Sequence, residues 1–389
     1  MERHQELRGR ALLFLFFLWF LWFFNFTARS IFSPILPLVE DEFAISHARA
    51  SSIFVFFSIG YGLAVLFSGS YAGRLGYKKS IVLSLFTSSV VSFLIPFAES
   101  FSTLYLLNFI LGFSIGAYLP AAMPLITEYF AEKHWGKSIA IHDTGASISI
   151  FCTPFVALSL LHFFKWRGIF DVFAVVFLIS GIVLYFICDE VKISHSEKAR
   201  LGSLIKLRSL WIMVILFTFV AGANMGIYSI VPLYLTKELS LNIEYANSIL
   251  GISRLGGIVV SVTCGFLIDK FNLRKFLFII TLITGIFTVL MGMSSVRFIG
   301  ISLFLQAIAM TGFFPVGLVS IARMFARETR GLATGLILAI SMVLGMGLTP
   351  YLLGLAGDHL SFGFGITLFG ILVSVSSLFA FSLKELERT

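Results

Sequence analysis

Charged residues are scarce in this chain. Asp, Glu, Lys and Arg make up 12% of its 389 residues, whereas 58% are hydrophobic and 45 are phenylalanine. A soluble protein of this size carries about twice that charged fraction. The scarcity of charge therefore argues against a soluble protein with large buried core helices.

Cysteine is also scarce, and familiar catalytic patterns are missing from the sequence. The three cysteines, Cys152, Cys188 and Cys264, all lie in apolar segments without the spacing of metal ligands, so we interpret them as small packing residues. The sequence has no phosphate-binding P-loop, no paired carboxylates and no nucleophile constellation. An ATP-driven pump and a membrane enzyme are therefore disfavoured, and no cofactor or metal is expected.

The hydrophobic residues that are present fall in long runs separated by short charged segments. Apolar runs of about 18–28 residues are typical of membrane-spanning helices. The first run follows a charged start and is too long for the core of a signal peptide, so we expect it to be retained. The sequence predicts an all-α membrane protein with twelve spans, at residues 11–38, 50–72, 80–97, 102–128, 138–163, 168–188, 209–236, 245–268, 275–294, 298–322, 331–357 and 362–383.

Lysine and arginine are distributed unevenly between the predicted loops. With the N-terminus in the cytoplasm, 21 of the 28 basic residues lie in cytoplasmic segments and five lie on the opposite side. This positive-inside asymmetry predicts cytoplasmic termini and a multi-pass protein of the cell (inner or plasma) membrane. Anionic lipid headgroups then account for the net charge of +8, and nucleic acid is not expected as a partner.

The two remaining basic residues, Arg29 and Arg254, lie deep inside apolar runs. A guanidinium cannot lose its proton, and an arginine at the centre of a membrane costs roughly 2.5–3.5 kcal/mol. One acidic residue, Asp143, lies at moderate depth, about one turn into the fifth span beside His142. The favoured interpretation is that the arginines bind an anionic substrate through their guanidinium forks. The alternative is that they bond backbone carbonyls or helix C-termini, or that one pairs with Asp143.

The sequence repeats itself with an offset of 195 residues, at which Pro120 and Pro315 begin two similar segments. The chain is therefore predicted to consist of two six-helix bundles, residues 1–188 and 209–389, joined by a cytoplasmic linker at 189–208. Internal repeats in a membrane protein are typical of alternating-access carriers with a site near the midplane.

A loop in each half resembles a signature of the major facilitator superfamily. Residues 69–79 and 265–275 are similar to its pattern G-x-x-x-D-[RK]-x-G-[RK]-[RK]. The resemblance implies a fold of two pseudo-symmetric six-helix bundles, with loop charges that latch the cytoplasmic face. The first copy departs from the pattern, because Gly73 replaces the acidic residue that the second copy keeps, so that half of the latch is expected to be weak. The candidate gating residues are Gly69, Gly73, Arg74, Gly76, Lys78, Gly265, Asp269, Lys270 and Arg274.

In this family, helices one, four, seven and ten line the central cavity, and helices two, five, eight and eleven lie at the interface between the halves. The resemblance therefore implies that Arg29 on helix one and Arg254 on helix eight contact the substrate. Any other candidate, taken alone, also suits helix packing. The further candidate substrate-binding residues are Asn25, Asn224, Tyr228, Tyr61, Tyr118, Gln306 and Thr311.

The predicted function is secondary active transport of a small organic anion, a mono- or dicarboxylate, bridged by the arginines of both halves. His142 and Asp143 are candidates for proton coupling in a symporter, or alternatively a polar pair that fixes the cytoplasmic end of helix five. The competing functions are a carrier of neutral or cationic compounds with structural arginines, and a non-transporting receptor or scaffold. The expected partners are the anion, protons and membrane lipid, no cofactor is expected, and the protein is predicted to be a monomer.

Overall fold

The computed structural model describes residues 6–189, 201–257, 260 and 272–386, whose regular elements are helices. Eleven helical segments of this part of the chain are long and apolar enough to cross a membrane. We number these eleven segments in chain order together with one shorter helix, Ile243–Ser253, which is α8. They are α1 Gly9–Phe43, α2 His47–Leu66, α3 Tyr77–Phe97, α4 Phe101–Tyr129, α5 Glu132–Leu161, α6 Trp166–Ile187, α7 Arg208–Glu238, α8 Ile243–Ser253, α9 Leu273–Gly292, α10 Ile299–Met324, α11 Thr329–His359 and α12 Phe362–Ser382.

The prediction of an all-α membrane protein is confirmed. Helices suit this setting because lipid offers no partners for backbone N–H and C=O groups, which a helix pairs internally. The eighth predicted span, 245–268, begins within α8, but residues 258–259 and 261–268 lie outside the described residues. The count of twelve spans and the cytoplasmic position of the termini stay predictions.

Polar side chains set the beginnings of several helices. The Ser100 hydroxyl accepts a hydrogen bond from the Thr103 amide at 3.1 Å, where α4 begins. Asn242 Oδ1 accepts from the Tyr245 amide at 2.7 Å, where α8 begins. Each cap pairs an N–H group that the first turn of a helix leaves without an intrahelical partner.

By their contacts, the described residues fall into two compact units. The first lies within Met1–Phe32 and Phe56–Ser196, and the second within Ser33–Val55 and Glu197–Thr389. The contacts thus assign the end of α1 and the beginning of α2 to the second unit. The predicted bundles, 1–188 and 209–389, stay a prediction.

In the first unit, α2 and α4 approach so closely that only glycine fits between them. A Cβ atom on Gly60 would lie 2.0 Å from Phe109 O, and one on Gly112 would lie 2.0 Å from Phe57 O. Neither position can hold a side chain without moving a backbone. Small residues of this kind are what allows membrane helices to pack tightly.

In the second unit, residues 33–55 are held by hydrogen bonds to the later helices. The Ser33 hydroxyl donates to Tyr228 O on α7 at 2.6 Å. The Asp358 carboxylate on α11 accepts from the backbone amides of His47 at 2.8 Å and Ala48 at 2.9 Å. A carboxylate at this place caps the beginning of α2 and complements its helix dipole.

Helices α7 and α11 each contain π-helical turns, at Gly222–Gly226 and Tyr234–Glu238 in α7 and at Met342–Leu348 in α11. A π turn disturbs the regular helical hydrogen-bond ladder, and such turns are frequent at functional sites. The two helices meet at these turns, because a Cβ atom on Gly226 would lie 2.6 Å from Gly345 O. The irregular stretch of α7 is where the polar residues of the second unit converge.

Candidate functional site

In the first unit, the Arg29 guanidinium lies over two aromatic rings. Arg29 is 7% exposed, and its Cζ atom lies 4.7 Å from the ring centroid of Phe26 and 4.7 Å from that of Tyr61. Phe26 precedes Arg29 by three residues on α1 and therefore shares its helical face, while Tyr61 comes from α2. The negative faces of the two rings stabilise the buried positive charge.

Asn25 lies one turn before Arg29 and joins α1 to α4. Its Nδ2 atom donates to Ile115 O at 3.2 Å, and the residue is 1% exposed. Because this bond uses the amide nitrogen, the Oδ1 atom is left as an acceptor. Oδ1 has no hydrogen-bond partner in the part of the chain that the structure describes.

Tyr118 and His142 belong to a buried aromatic stack. The Trp22 ring centroid lies 5.7 Å from each of their rings, and all three rings are nearly parallel. The Tyr118 hydroxyl donates to Leu18 O at 2.9 Å and lies 3.2 Å from His142 Nε2. Since the hydroxyl has one proton, His142 Nε2 must donate to its oxygen, and Nδ1 then carries the lone pair.

The predicted pair of His142 and Asp143 lies in two different surroundings. His142 is fully buried, and its Nδ1 atom has no hydrogen-bond partner among the described residues. Asp143, the next residue of α5, is exposed. The structure thus places a buried proton acceptor next to a carboxylate that is open to its surroundings.

In the second unit, Arg254 directly follows α8 and is 5% exposed. Its Cζ atom lies 4.9 Å from the ring centroid of Tyr228 on α7, a residue that is fully buried. Among the described residues, none of its three guanidinium nitrogens has a hydrogen-bond partner. The planar fork that matches a carboxylate is therefore available in a desolvated place.

Helices α7, α8 and α10 meet close to this arginine. Gln306 on α10 is fully buried and donates from Nε2 to Ala223 O at 2.7 Å, in the π turn of α7. A Cβ atom on Gly257 would lie 2.7 Å from Thr311 Oγ1, so α10 also touches the chain just after α8. Thr311 itself donates to Ala307 O at 2.7 Å, which uses its proton within α10.

The carboxamide oxygens of this cluster are acceptors without donors. Asn224 follows Ala223 in the π turn and precedes Tyr228 by four residues. Asn224 Oδ1 and Gln306 Oε1 are buried and have no hydrogen-bond partner within the described ranges. The second unit thus places Arg254 against Tyr228 and Gln306 against Ala223, on the stretch of α7 that contains Asn224, with Thr311 close to the chain just after α8.

The predicted gating residues of the first loop copy lie in and between two helices. Gly69 and Gly73 lie in the helix Ser68–Leu75, and a side chain at Gly73 would meet nothing within 4 Å. Arg74 is exposed, Gly76 has a φ of 86° between two helices, and Lys78 Nζ lies 4.9 Å from the Tyr185 ring centroid.

In the second copy of the loop, Arg274 Nη1 donates to Phe381 O at 3.4 Å. The other predicted gating positions of this copy, Gly265, Asp269 and Lys270, lie outside the described residues. The gating role of both loops stays a prediction.

Three residues of these clusters were not predicted from the sequence: Phe26, Trp22 and Asn247. Asn247 on α8 donates from Nδ2 to Pro34 O at 3.1 Å, and its Oδ1 atom has no partner in the described part of the chain. Asn247 precedes Arg254 by seven residues, and Trp22 precedes Arg29 by seven, which is two helical turns. That spacing from each arginine is a signal that could have identified both.

The apolar helices define a multi-pass integral membrane protein, and comparison with known proteins identifies its class as a transporter rather than an enzyme. The sequence matches the Major Facilitator Superfamily over residues 18–262 and again over residues 213–389. The chain belongs to this family.

Relatives of known function are distant but cover most of the chain. The 4-hydroxybenzoate transporter PcaK of Pseudomonas aeruginosa is 24% identical over an alignment of 360 positions, gaps included, that covers 82% of this chain and 79% of that protein. The gallate transporter of Pseudomonas putida is 23% identical over an alignment of 395 positions, gaps included, that covers 89% of this chain and 85% of that protein. A probable L-galactonate transporter of Escherichia coli is 22% identical over 287 residues, with 69% and 63% covered.

The fold is shared with solved transporter structures. A bacterial homologue of the human lysosomal transporter Spinster superposes with a TM-score of 0.80 at 16% identity, over 95% of this chain and 96% of that one. At this identity the likeness concerns the fold alone.

Proposed function

We propose that this transporter moves a small organic anion, a mono- or dicarboxylate, by alternating access, and that Arg254 binds its carboxylate. The observation that carries the proposal is the buried Arg254 guanidinium, whose three nitrogens lack partners among the described residues. A buried charge that no group pairs is strongly unfavourable. A carboxylate that accepts two parallel hydrogen bonds offsets that cost while it is bound.

The chemistry of the site favours an anion over the competing substrates. A cationic compound would add a second positive charge beside Arg254 in surroundings of low dielectric constant. A neutral sugar would leave the charge of the arginine without a counterpart. The relatives named for 4-hydroxybenzoate, galactonate and gallate support the same choice, because each of these compounds is an organic acid.

Arg29 is the proposed second ligand of the anion. Each unit supplies one arginine, and an anion that contacts both in one state of the carrier would favour that state. Such coupling requires the ligand to bind one conformation better than the others. His142 is the proposed proton site, because its Nδ1 atom is a buried acceptor and imidazole ordinarily changes charge between about pH 5 and pH 8.

A binding assay on the purified protein tests the proposal. Arg254→Lys keeps the positive charge but loses the planar fork. We expect this variant to bind carboxylates about 10- to 100-fold more weakly, the equivalent of losing one or two charge-assisted hydrogen bonds. Equilibrium binding of benzoate, succinate, phosphate and glucose, measured by calorimetry or by thermal shift, provides the readout.

Arg297→Lys is the matched control. Arg297 is exposed and also lies over an aromatic ring, with its Cζ atom 5.7 Å from the Phe298 ring centroid. This substitution should leave carboxylate binding unchanged. The proposal is contradicted if Arg254→Lys and Arg29→Lys both bind carboxylates as tightly as the unmodified protein. It is also contradicted if glucose alone stabilises the protein.

A further inference from the structure

The second unit holds two buried acceptors that a simple carboxylate leaves without hydrogen bonds. The first is Gln306 Oε1 on α10. The bond from Gln306 Nε2 to Ala223 O fixes the orientation of the side-chain amide, because only its NH₂ group can donate to a carbonyl. Oε1 is therefore the free end of the amide, and it has no partner among the residues that the structure describes.

The second acceptor is Asn224 Oδ1, one residue after the carbonyl that Gln306 binds. Asn224 lies in the π turn Gly222–Gly226, and its Oδ1 atom is buried without a partner in the described ranges. Buried polar atoms in proteins are nearly always hydrogen bonded. Two bare acceptors, one in the π turn of α7 and one on the α10 side chain bonded to that turn, therefore call for donors from a ligand.

Arg254 provides hydrogen-bond donors close to the stretch of α7 where the two amides provide acceptors. It offers N–H donors without acceptors, whereas the two amides offer acceptors without donors. The three residues share one stretch of α7. Arg254 lies over the Tyr228 ring, Gln306 donates to Ala223 O, and Asn224 lies in the chain between Ala223 and Tyr228. A ligand of this cluster needs a carboxylate for the arginine and an O–H or N–H group for the amides.

We infer that Gln306 and Asn224 accept hydrogen bonds from hydroxyl groups of the substrate, so that the transported anion is a hydroxylated carboxylate. The inference rests on the proposed function, in which Arg254 binds the carboxylate. A carboxylate carries acceptors alone, so an acid without a hydroxyl group pairs Arg254 and leaves both amide oxygens bare. Sites built to bind a hydroxyl group discriminate strongly against the analogue that lacks it.

Matched acids test this inference on the purified full-length protein. Dissociation constants are measured for benzoate, its three monohydroxy isomers and the three corresponding methyl ethers, and for hexanoate against gluconate. We expect at least one hydroxy acid of each series to bind about tenfold or more tightly than its parent. The methyl ether keeps the oxygen atom but cannot donate, so it should bind no better than benzoate.

Variants assign the preference to the two amides. Gln306→Met and Asn224→Leu should weaken the binding of the preferred hydroxy acid more than that of its parent, so that their affinity ratio falls towards one. Asn108→Leu is the matched control, because Asn108 is a buried amide of α4 that donates to Leu104 O at 2.9 Å. This control should keep the ratio of the unmodified protein.

The outcomes separate the two proposals. If each parent acid binds the protein as tightly as its hydroxylated analogue, and Arg254→Lys weakens the binding of all of them, the anion proposal stands and the hydroxyl inference is wrong. Equal binding of a hydroxy acid and its methyl ether also overturns the inference, as does an unchanged ratio in both amide variants. If no carboxylate binds at all, the proposed function itself fails.

Discussion

The two units surround their buried arginines with different groups. In the first unit, the Arg29 guanidinium lies over the rings of Phe26 and Tyr61. In the second, Arg254 has one described ring beside it, that of Tyr228, and its nitrogens lack partners among the described residues. The same side chain thus contacts two rings in one unit, and in the other it contacts one described ring and keeps all three nitrogens without described partners.

The largest expected effect is a difference in the sign of a stability change. We expect Arg254→Met to raise the free energy of unfolding by about 2 kcal/mol, because it removes a charge whose burial in a membrane costs roughly 2.5–3.5 kcal/mol. Arg29→Met gives the same relief but also loses contacts with two aromatic rings, each worth about 2 kcal/mol or more in a desolvated place, so it should lower the free energy of unfolding by about 1 kcal/mol. Thermal unfolding without added anion measures both changes.

Uptake should respond differently from stability. Both methionine variants are expected to lose anion uptake by about 100-fold or more, because each removes one of the two guanidinium groups proposed to hold the anion. A more stable but inactive Arg254→Met protein is the expected signature of a residue kept for binding. Equal destabilisation by the two substitutions would show that the arginines have equivalent surroundings.

A second comparison concerns protons. The bare acceptor of the first unit, His142 Nδ1, belongs to an imidazole ring that can take up a second proton, whereas the amide oxygens of the second unit cannot. We expect the double variant His142→Ala, Asp143→Asn to lose most of the response of uptake to a pH gradient while still binding the anion. Uptake by proteoliposomes with and without an imposed gradient is the measurement. A normal response in the double variant rules out this proton site.

The smallest expected effect concerns the ring beside Arg254. Tyr228→Leu removes a cation–π contact worth about 0.5–2 kcal/mol, which should weaken anion binding at least about twofold. Tyr228→Phe keeps a ring in the same place and should stay close to normal. The control is Tyr105→Leu, which removes a ring stacked on Phe56 rather than one of the rings under the arginines. Anion dissociation constants that do not differ between the leucine and phenylalanine variants of Tyr228 would exclude a positioning role for its ring.

The sequence predicted the class of fold and singled out the two arginines as site candidates, because both follow from charge in an apolar background. Arg29 and Arg254 are conspicuous in runs without other basic residues. The ring partner Phe26 was not predictable in the same way, since the chain has 45 phenylalanines and helical spacing alone does not select one.

The polar cluster of the second unit depends on a feature that has no sequence signature. The π turn Gly222–Gly226 brings Ala223 O to Gln306, and its glycines are compatible with an ordinary α-helix as well. Tyr61, Tyr228 and Gln306 were named as candidates, but which atoms they leave without partners required the packing of the helices. Asn247 was missed although its spacing from Arg254 places it on the same helical face.

The bonds between Asp358 and the beginning of α2 have a consequence for the order of synthesis. The backbone amide of His47 and its carboxylate partner are 311 residues apart in the chain. At about 5–20 residues per second, a ribosome needs roughly 15–60 seconds to travel that distance. Through that interval the emerging segment 33–55 is separated from the helices that complete its hydrogen bonds, so the first half of the chain cannot finish folding before the last helices are made.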